Sequence, residues 1–345
     1  MDDCPRILIA GIGGASLGTE ILKSLLRAGD YTLLGCDISA LAYGHYQAGI
    51  SKTFVVDRDR YAESVLQICA KEAIRAVIPG GEEPAVLLGQ AAARFQEAGV
   101  HVAGNSPRVV ALCSDKGRLF EHMKDLGLPV PWTLAVQDVR EFERLENVPY
   151  PCVVKPSTGS GGSRYVFLAS NQSEAALYLS YLLNNDQSAL IQEYLPVEGG
   201  EFTVGVLSMP DGRLAGSVAM RRLFHTRLSI SVQSKVGLIS SGYSQGLIDE
   251  FSEVRAQSEE IARKLGSTGP LNIQARLRDG KLVPFEINPR FSASTYLRAM
   301  AGFNEINLYL RYVLFNEEPH AGTIKPGFYL RSLAEIYVDK EGLVQ

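Results

Sequence analysis

The stretch VPFEINPRF, Val283 to Phe291, puts a carboxylate, a carboxamide and a guanidinium within five residues. Glu286 and Asn288 alternate with Phe285 and Ile287, the period of two that sends polar and apolar side chains to opposite faces of a strand. Two oxygen donors on one face suit a hard divalent cation. Mg²⁺ takes one or two carboxylates and completes its shell with phosphate oxygens and water. Arg290, just past Pro289, can meet the charge on a phosphoryl group in transfer. The face therefore reads as holding Mg²⁺ and the end of a nucleoside triphosphate. Upstream, PLNIQAR carries Asn272, Gln274 and Arg276, and the turn RDG makes the two strands a hairpin.

Two further segments offer matching chemistry. In YPCVVKPSTGSGGSRYVFLAS, Lys155 ends an apolar strand and is followed by a loop containing Ser157, Gly159, Ser160, Gly161 and Gly162. Such a loop presents backbone and hydroxyl donors without bulky side chains, as a flap closing over phosphates requires, and Lys155 adds a point charge. A solvated hairpin with a surface lysine fits the segment equally well. In ALIQEYLPVEGGEF, a strand runs into Gln192, Glu193, Tyr194 and Leu195. A strand leaving its sheet there can offer backbone groups to an adenine edge while Glu193 accepts from the exocyclic amine. Glu201, opening the next strand, could reach a ribose or a metal.

Composition limits the rest. The chain has 345 residues, 46% hydrophobic and 21% charged, enough for two or three packed domains. A net charge of -4 and a pI near 5.8 give no general attraction to nucleic acid or an anionic membrane. The five cysteines are scattered without a C-x-x-C pair, which suits buried thiols in a reducing cytosol. No leader-like start and no long apolar run occurs, so the expectation is a cytoplasmic protein that does not span a membrane.

The elements that must position these residues come in two styles. Up to about Ala111, strands (RILIAGIGG, YTLLGCD, IRAVIPGG, VHVAG) alternate with helices (TEILKSLLRAG, AESVLQICAKEA, EPAVLLGQAAARFQEAG), the pattern of a parallel α/β domain. VVALCSDKGRLFEHMKDLG then reads as one helix, LPVPWT as a proline-broken crossing with Trp132 as core packing, and FYLRSLAEIYV as a closing strand. The glycine turn GIGGASLG, with Asp37 ending the second strand, could serve NAD, but its spacing departs from G-x-G-x-x-G.

The order of motifs resembles the ATP-grasp superfamily: Lys116, Lys155 before a glycine-rich hairpin, Gln192-Glu193-Tyr194-Leu195, Glu201, Gln274, then Glu286-x-Asn288-Pro289-Arg290. It is most similar to the synthetase halves of the carbamoyl-phosphate synthase large subunit and their short, single-unit relatives. The resemblance implies an α/β and α+β architecture: a pre-ATP-grasp domain at 1–111, a small lid subdomain at 112–190 and a C-terminal subdomain with the metal site at 191–345. It implies that Lys116 and Lys155 contact phosphates under the 158–163 loop, and that Glu193 and Leu195 sit at adenine with Glu201 at the ribose. Gln274, Glu286 and Asn288 would surround one or two Mg²⁺ ions, with Mn²⁺ the alternative, while Arg290, Lys155 and Asn288 serve catalysis.

The implied reaction is ATP-dependent joining of a carboxylate and an amine through an acyl phosphate, with small-molecule substrates and a homodimer compatible with the family. One synthetase unit, no Cys-His amidotransferase pattern and no long C-terminal extension favour a stand-alone ligase. The alternatives are a bicarbonate-using carboxylating or carbamoyl-phosphate-type enzyme, and a non-catalytic ATP sensor. Acceptor contacts are expected from Gly13 and Gly14, from the basic run Arg221, Arg222, His225 and Arg227, and from Ser292 and Arg298.

Overall fold

The computed structural model describes residues 4–159 and 164–344. The first unit is a parallel sheet of β1 (Arg6–Ala10), β2 (Thr32–Asp37), β3 (Lys52–Val55), β4 (Ile74–Pro79) and β5 (His101–Val102), in the order β3-β2-β1-β4-β5. It is covered by α1 (Leu17–Ala28), α2 (Tyr61–Lys71), α3 (Glu82–Gln90) and α4 (Ala92–Glu97). β1 and β4 are parallel neighbours, so the turns after both open at the same carboxyl end of the sheet, where ligands of open α/β sheets bind. The carbonyl of Gly11 fixes this junction: an added Cβ would stand 1.9 Å from it at Gly18 and 1.8 Å at Gly80.

The expected single helix beyond Ala111 is two, α5 (Pro107–Ser114) and α6 (Lys116–Asp125). Asp115 breaks it by adopting extended backbone and accepting a hydrogen bond from the Arg118 N–H, an N-cap that starts a new helix. The expected single helix after β4 likewise divides into α3 and α4 at Ala91.

A small antiparallel sheet follows, made of β6 (Thr133–Val136), β7 (Cys152–Lys155), β8 (Phe167–Ala169) and β9 (Ala189–Glu193) in the order β6-β9-β7-β8, with α7 (Val139–Phe142) and α8 (Gln172–Leu183). Because β9 pairs with both β6 and β7, the change of sheet comes after Glu193, past the expected division at 190/191. The large sheet contains β10 (Glu201–Ser208) and β11 (Leu214–Arg222). A separate hairpin of β12 (Ile230–Ser234) and β13 (Gly237–Ser240) leads to β14 (Gly246–Asp249), α9 (Ser252–Leu265), β15 (Pro270–Arg278) and β16 (Lys281–Asn288). After α10 (Thr295–Met300) and α11 (Glu305–Phe315), β17 (Gly327–Tyr329) closes the order β16-β15-β10-β11-β14-β17. Only Phe328 and Tyr329 of the expected last strand find a partner, β14, and the rest of the segment is irregular.

The β15–β16 turn uses Asp279 and Gly280, both at positive φ (52° and 74°), which matches the twist of a two-residue hairpin. Further along, the register shifts between Gln274 and Ala275: Gln274 faces Glu286 while Ala275 faces Pro284, leaving Phe285 as an extra residue. Pro284 is tolerated because β16 is the sheet edge and needs no further ladder donor. The bulge has a chemical result. Strict alternation predicts Phe285 on the face opposite Glu286, yet both line the same cavity.

Candidate active site

A cavity of about 460 Å³ opens between the small sheet, the large sheet and the β12–β13 hairpin, and reaches the ends of β1 and β4. Where β7 meets β16, Lys155 Nζ donates to Gln192 Oε1 and to the Phe285 carbonyl, each at 2.9 Å. The side chain is buried. Desolvation, then the neighbouring charge of Lys116, pushes its pKa from 10.5 down to about 7, with Glu286 acting in the opposite direction. Lys116, at the start of α6, is 6% exposed and lines the same space. Among the described residues its Nζ makes no hydrogen bond or ion pair, a condition that favours an anionic ligand.

Ser157 does not line the cavity. Its hydroxyl donates to Asp115 Oδ1 (2.8 Å) and accepts from the Gly117 N–H (3.3 Å), so it ties the post-β7 loop to the start of α6. Gly159 lies outside the lining as well, in a left-handed conformation (φ 67°). Ser160, Gly161 and Gly162 lie outside the described residues.

The three expected metal ligands converge. Gln274 Nε2 donates to Glu286 Oε2 at 2.6 Å, and Asn288, opposite Asn272 in the ladder, lies one step further along the same wall. Arg290 donates to the Phe291 carbonyl (2.9 Å) and approaches Asn288 Oδ1 (3.5 Å), while its buried Nε has no hydrogen-bond partner among the described residues. Burial lowers the Arg290 pKa, with Glu82 and Glu286 opposing the shift. The donor set of one carboxylate and two amide oxygens fits Mg²⁺ in the mode where phosphates and water fill the remaining positions. Among the described residues no cluster of three or more acidic, histidine or cysteine side chains offers a self-sufficient metal cage.

At the end of β9, Glu193 pairs with Arg278 (2.5 Å), and the Tyr194 hydroxyl accepts from the Leu238 N–H (2.8 Å), which holds the β12–β13 hairpin against the cavity. Arg276, given no role in the sequence reading, is central here. Its guanidinium lies 4.9 Å from the Tyr194 ring centre and 5.5 Å from that of Phe285, and donates to the carbonyls of Leu195 and Leu238. It also holds Glu201 at 2.8 Å, and Arg222 approaches the same carboxylate at 3.3 Å. The expected ribose contact of Glu201 is thereby corrected: with 1% exposure and two guanidiniums around it, Glu201 lies behind the wall.

The opposite end of the cavity is built from Ala15–Leu17 at the start of α1, Gly80–Glu82 after β4, the serine-rich run 240–244, and Ser292–Ser294. Ser292 lines this end, its hydroxyl 2.7 Å from that of Ser294. Gly13 and Gly14 precede the lining residues. Asp37 accepts from the backbone N–H groups of Ile12 (2.9 Å) and Ser39 (3.1 Å), which makes it an anchor for the glycine turn in place of a ribose acceptor. Arg221, His225 and Arg227 are exposed and do not line the cavity. Arg222 is buried and braces the serine-rich run by donating to the Ser241 carbonyl (2.8 Å). Arg298, also buried, pairs with Glu305 (3.1 Å) and stands behind the cavity wall, donating to the lining residues Asn272 (Oδ1, 2.6 Å) and Thr203 (Oγ1, 3.2 Å). The glycine pair ending IPGG and the run SSGYS were the available signals for the segments the sequence reading left out.

An ATP-grasp domain model matches residues 113–294, more than half of the chain, and a PylC-like N-terminal domain model matches residues 7–103. The chain belongs to the ATP-grasp family. Curated relatives of this ATP-grasp protein include the carbamoyl phosphate synthase large chain of Halomonas eurihalina, 29% identical over 245 residues, covering 67% of this chain and 21% of the relative. That of Rubrobacter xylanophilus is 25% identical over 328 residues, covering 90% and 30%. The chain therefore spans a third or less of the length of these relatives.

Among solved structures, an L-amino acid ligase from Bacillus licheniformis superposes with a TM-score of 0.67 at 17% identity, covering 90% of this chain and 74% of that one. The N5-carboxyaminoimidazole ribonucleotide synthetase of Thermotoga maritima gives 0.61 at 19% identity, covering 93% and 79%. At such identities the likeness is one of fold.

Proposed function

We propose that this ATP-grasp protein is an ATP-dependent carboxylate–amine ligase acting on small molecules in the cytoplasm. The observation that carries the reading is the convergence in one cavity of two buried lysines, Lys116 and Lys155, with Glu286, Asn288 and Arg290. Lys116 and Lys155 bind the phosphates, and the base lies between the Glu193–Leu195 strand end and the β13 hairpin. Gln274, Glu286 and Asn288 would hold Mg²⁺, which supplies charge neutralisation at the phosphates.

Arg290 stabilises the charge on the phosphoryl group while a substrate carboxylate oxygen attacks the γ-phosphorus and ADP leaves. An amine then attacks the acyl carbon of the resulting acyl phosphate, forming an amide and releasing phosphate. No protein nucleophile is needed. The chain orients the reactants and keeps water from the acyl phosphate.

The deciding assay measures ADP release from Mg²⁺-ATP with bicarbonate, an amino-acid pool, or a pool of small carboxylates with amines, followed by mass spectrometry. Turnover that needs both a carboxylate and an amine, with a product lighter than their sum by one water, supports ligation. The naming of curated relatives as carbamoyl phosphate synthases favours bicarbonate as the second reading, for which bicarbonate alone would trigger ADP release. Nucleotide binding without turnover in any pool would favour a sensor.

A further inference from the structure

Arg331 follows β17 and stands behind the serine-lined end of the cavity without lining it. Its side chain is 7% exposed. Nη2 donates to Glu20 Oε2 on α1 at 3.2 Å and to the Ala293 carbonyl, and Nε donates to the Ser244 carbonyl at 3.3 Å. The backbone N–H of the same residue donates to Gln245 Oε1 at 3.2 Å. Glu20, Ser244 and Ala293 belong to, or directly continue, the three segments that wall this end: the start of α1, the 240–244 run and Ser292–Ser294. These segments are distant in sequence, and one side chain collects all three.

We propose that Arg331 is a positioning residue that sets the mutual placement of these walls and so the shape of the acceptor subsite. The subsite's name rests on the ligase reading above; the placement does not. A guanidinium presents five donors in a rigid planar fork, so acceptors on separate segments are held in a fixed relation that a lysine's point charge cannot reproduce. Glu20 also carries Lys23 at 2.9 Å, so its charge stays partly compensated when Arg331 is replaced.

The test compares the full-length wild type with Arg331→Met, Arg331→Lys and the double variant Arg331→Met/Glu20→Gln. The double variant removes the buried charge together with its partner and keeps the question answerable if the single one folds poorly. Amide hydrogen exchange is expected to rise roughly tenfold together in peptides covering 15–20, 240–245 and 291–295, with β7 and β9 unchanged and the lysine variant in between. The affinity for Mg²⁺ with a non-hydrolysable ATP analogue stays within about twofold, while the half-saturating concentration of the amino-acid pool in the ADP-release assay rises roughly tenfold.

Exchange confined to residues 327–335, or rising uniformly along the chain, would overturn the proposal. Wild-type protein that releases no ADP with any pool, yet whose variants show the joint rise in exchange of all three peptides, would remove the ligase reading and leave the placement standing.

Discussion

Lys155 is an ammonium group with almost no water around it, and its pKa near 7 has two readable consequences. In the unfolded chain the group titrates near 10.5, so the burial penalty on its charged form is fully present below pH 7. Between about 7 and 10.5 the folded state sheds this proton first, and its contribution to stability rises with pH. A polyphosphate reverses the preference by favouring the charged form. At pH 8 nucleotide binding is expected to take up close to one proton, with affinity falling by up to about tenfold per pH unit above pH 7. Calorimetry in two buffers of different ionisation enthalpy checks this, and binding without proton exchange would contradict it.

Two carboxylates separate the same way under mutation. Glu286→Gln is expected to remove at least about 99% of the ATP-dependent turnover while leaving the unfolding midpoint nearly unchanged. Glu201→Gln should instead destabilise the fold by about 3–5 kcal/mol, since it leaves Arg222 and Arg276 buried without their shared anion. Denaturant unfolding beside the activity assay distinguishes them; an intact fold with weakened ATP binding in Glu201→Gln would restore its ribose role.

At the scale of elements, the parallel βα alternation was legible because the strands of the first unit read as short apolar runs and its helices as amphipathic ones, with glycines marking several of the turns between them. The pairing of Glu286 and Asn288 on one cavity wall was legible for a similar reason: they display oxygen-donor chemistry and strand spacing within three residues. Arg276 was not, since a basic residue on a strand resembles solvated surface until Tyr194 and Phe285, from other segments, are found around it. Glu201 was misplaced for the same reason, its partners coming from β11 and β15. The break at Asp115 escaped because helical periodicity continues through it and only the capping hydrogen bond gives it away.

The GIGGASLG turn was readable as a tight turn but not as half of a junction. Gly11 sits at φ 104°, and its carbonyl fills the space that a side chain at Gly80 would need. Gly80→Ala is therefore expected to cost about 1–3 kcal/mol by overpacking. Because Gly80 also lines the cavity, the same substitution should impair acceptor-dependent ADP release more than nucleotide affinity. Equal losses in both would argue against that division of the cavity.

Across the whole molecule, the apolar core is partitioned unequally. One cluster joins Ile7, Ile9 and Ile21 of the first unit to Met220, Phe303 and Ile306 of the large-sheet unit, making a continuous base. The small sheet has a cluster of its own, built on Phe142, Val154, Leu179 and Ile191. Polar ties carry much of its connection across the cavity: Lys155 to the Phe285 carbonyl, Glu193 to Arg278, and Tyr194 to Leu238. Lys155→Met is expected to speed amide exchange in β6–β9 several-fold while leaving β1–β5 unaffected, a pattern that loss of the Lys155 ammonium from the Phe120 ring on α6, 6.0 Å away, would not produce by itself.

The bond from Lys155 to Phe285 spans the two sheets on either side of the cavity. On the ligase reading, an arriving phosphate would compete with that carbonyl for the same ammonium, which would couple what fills the cavity to the spacing of its walls.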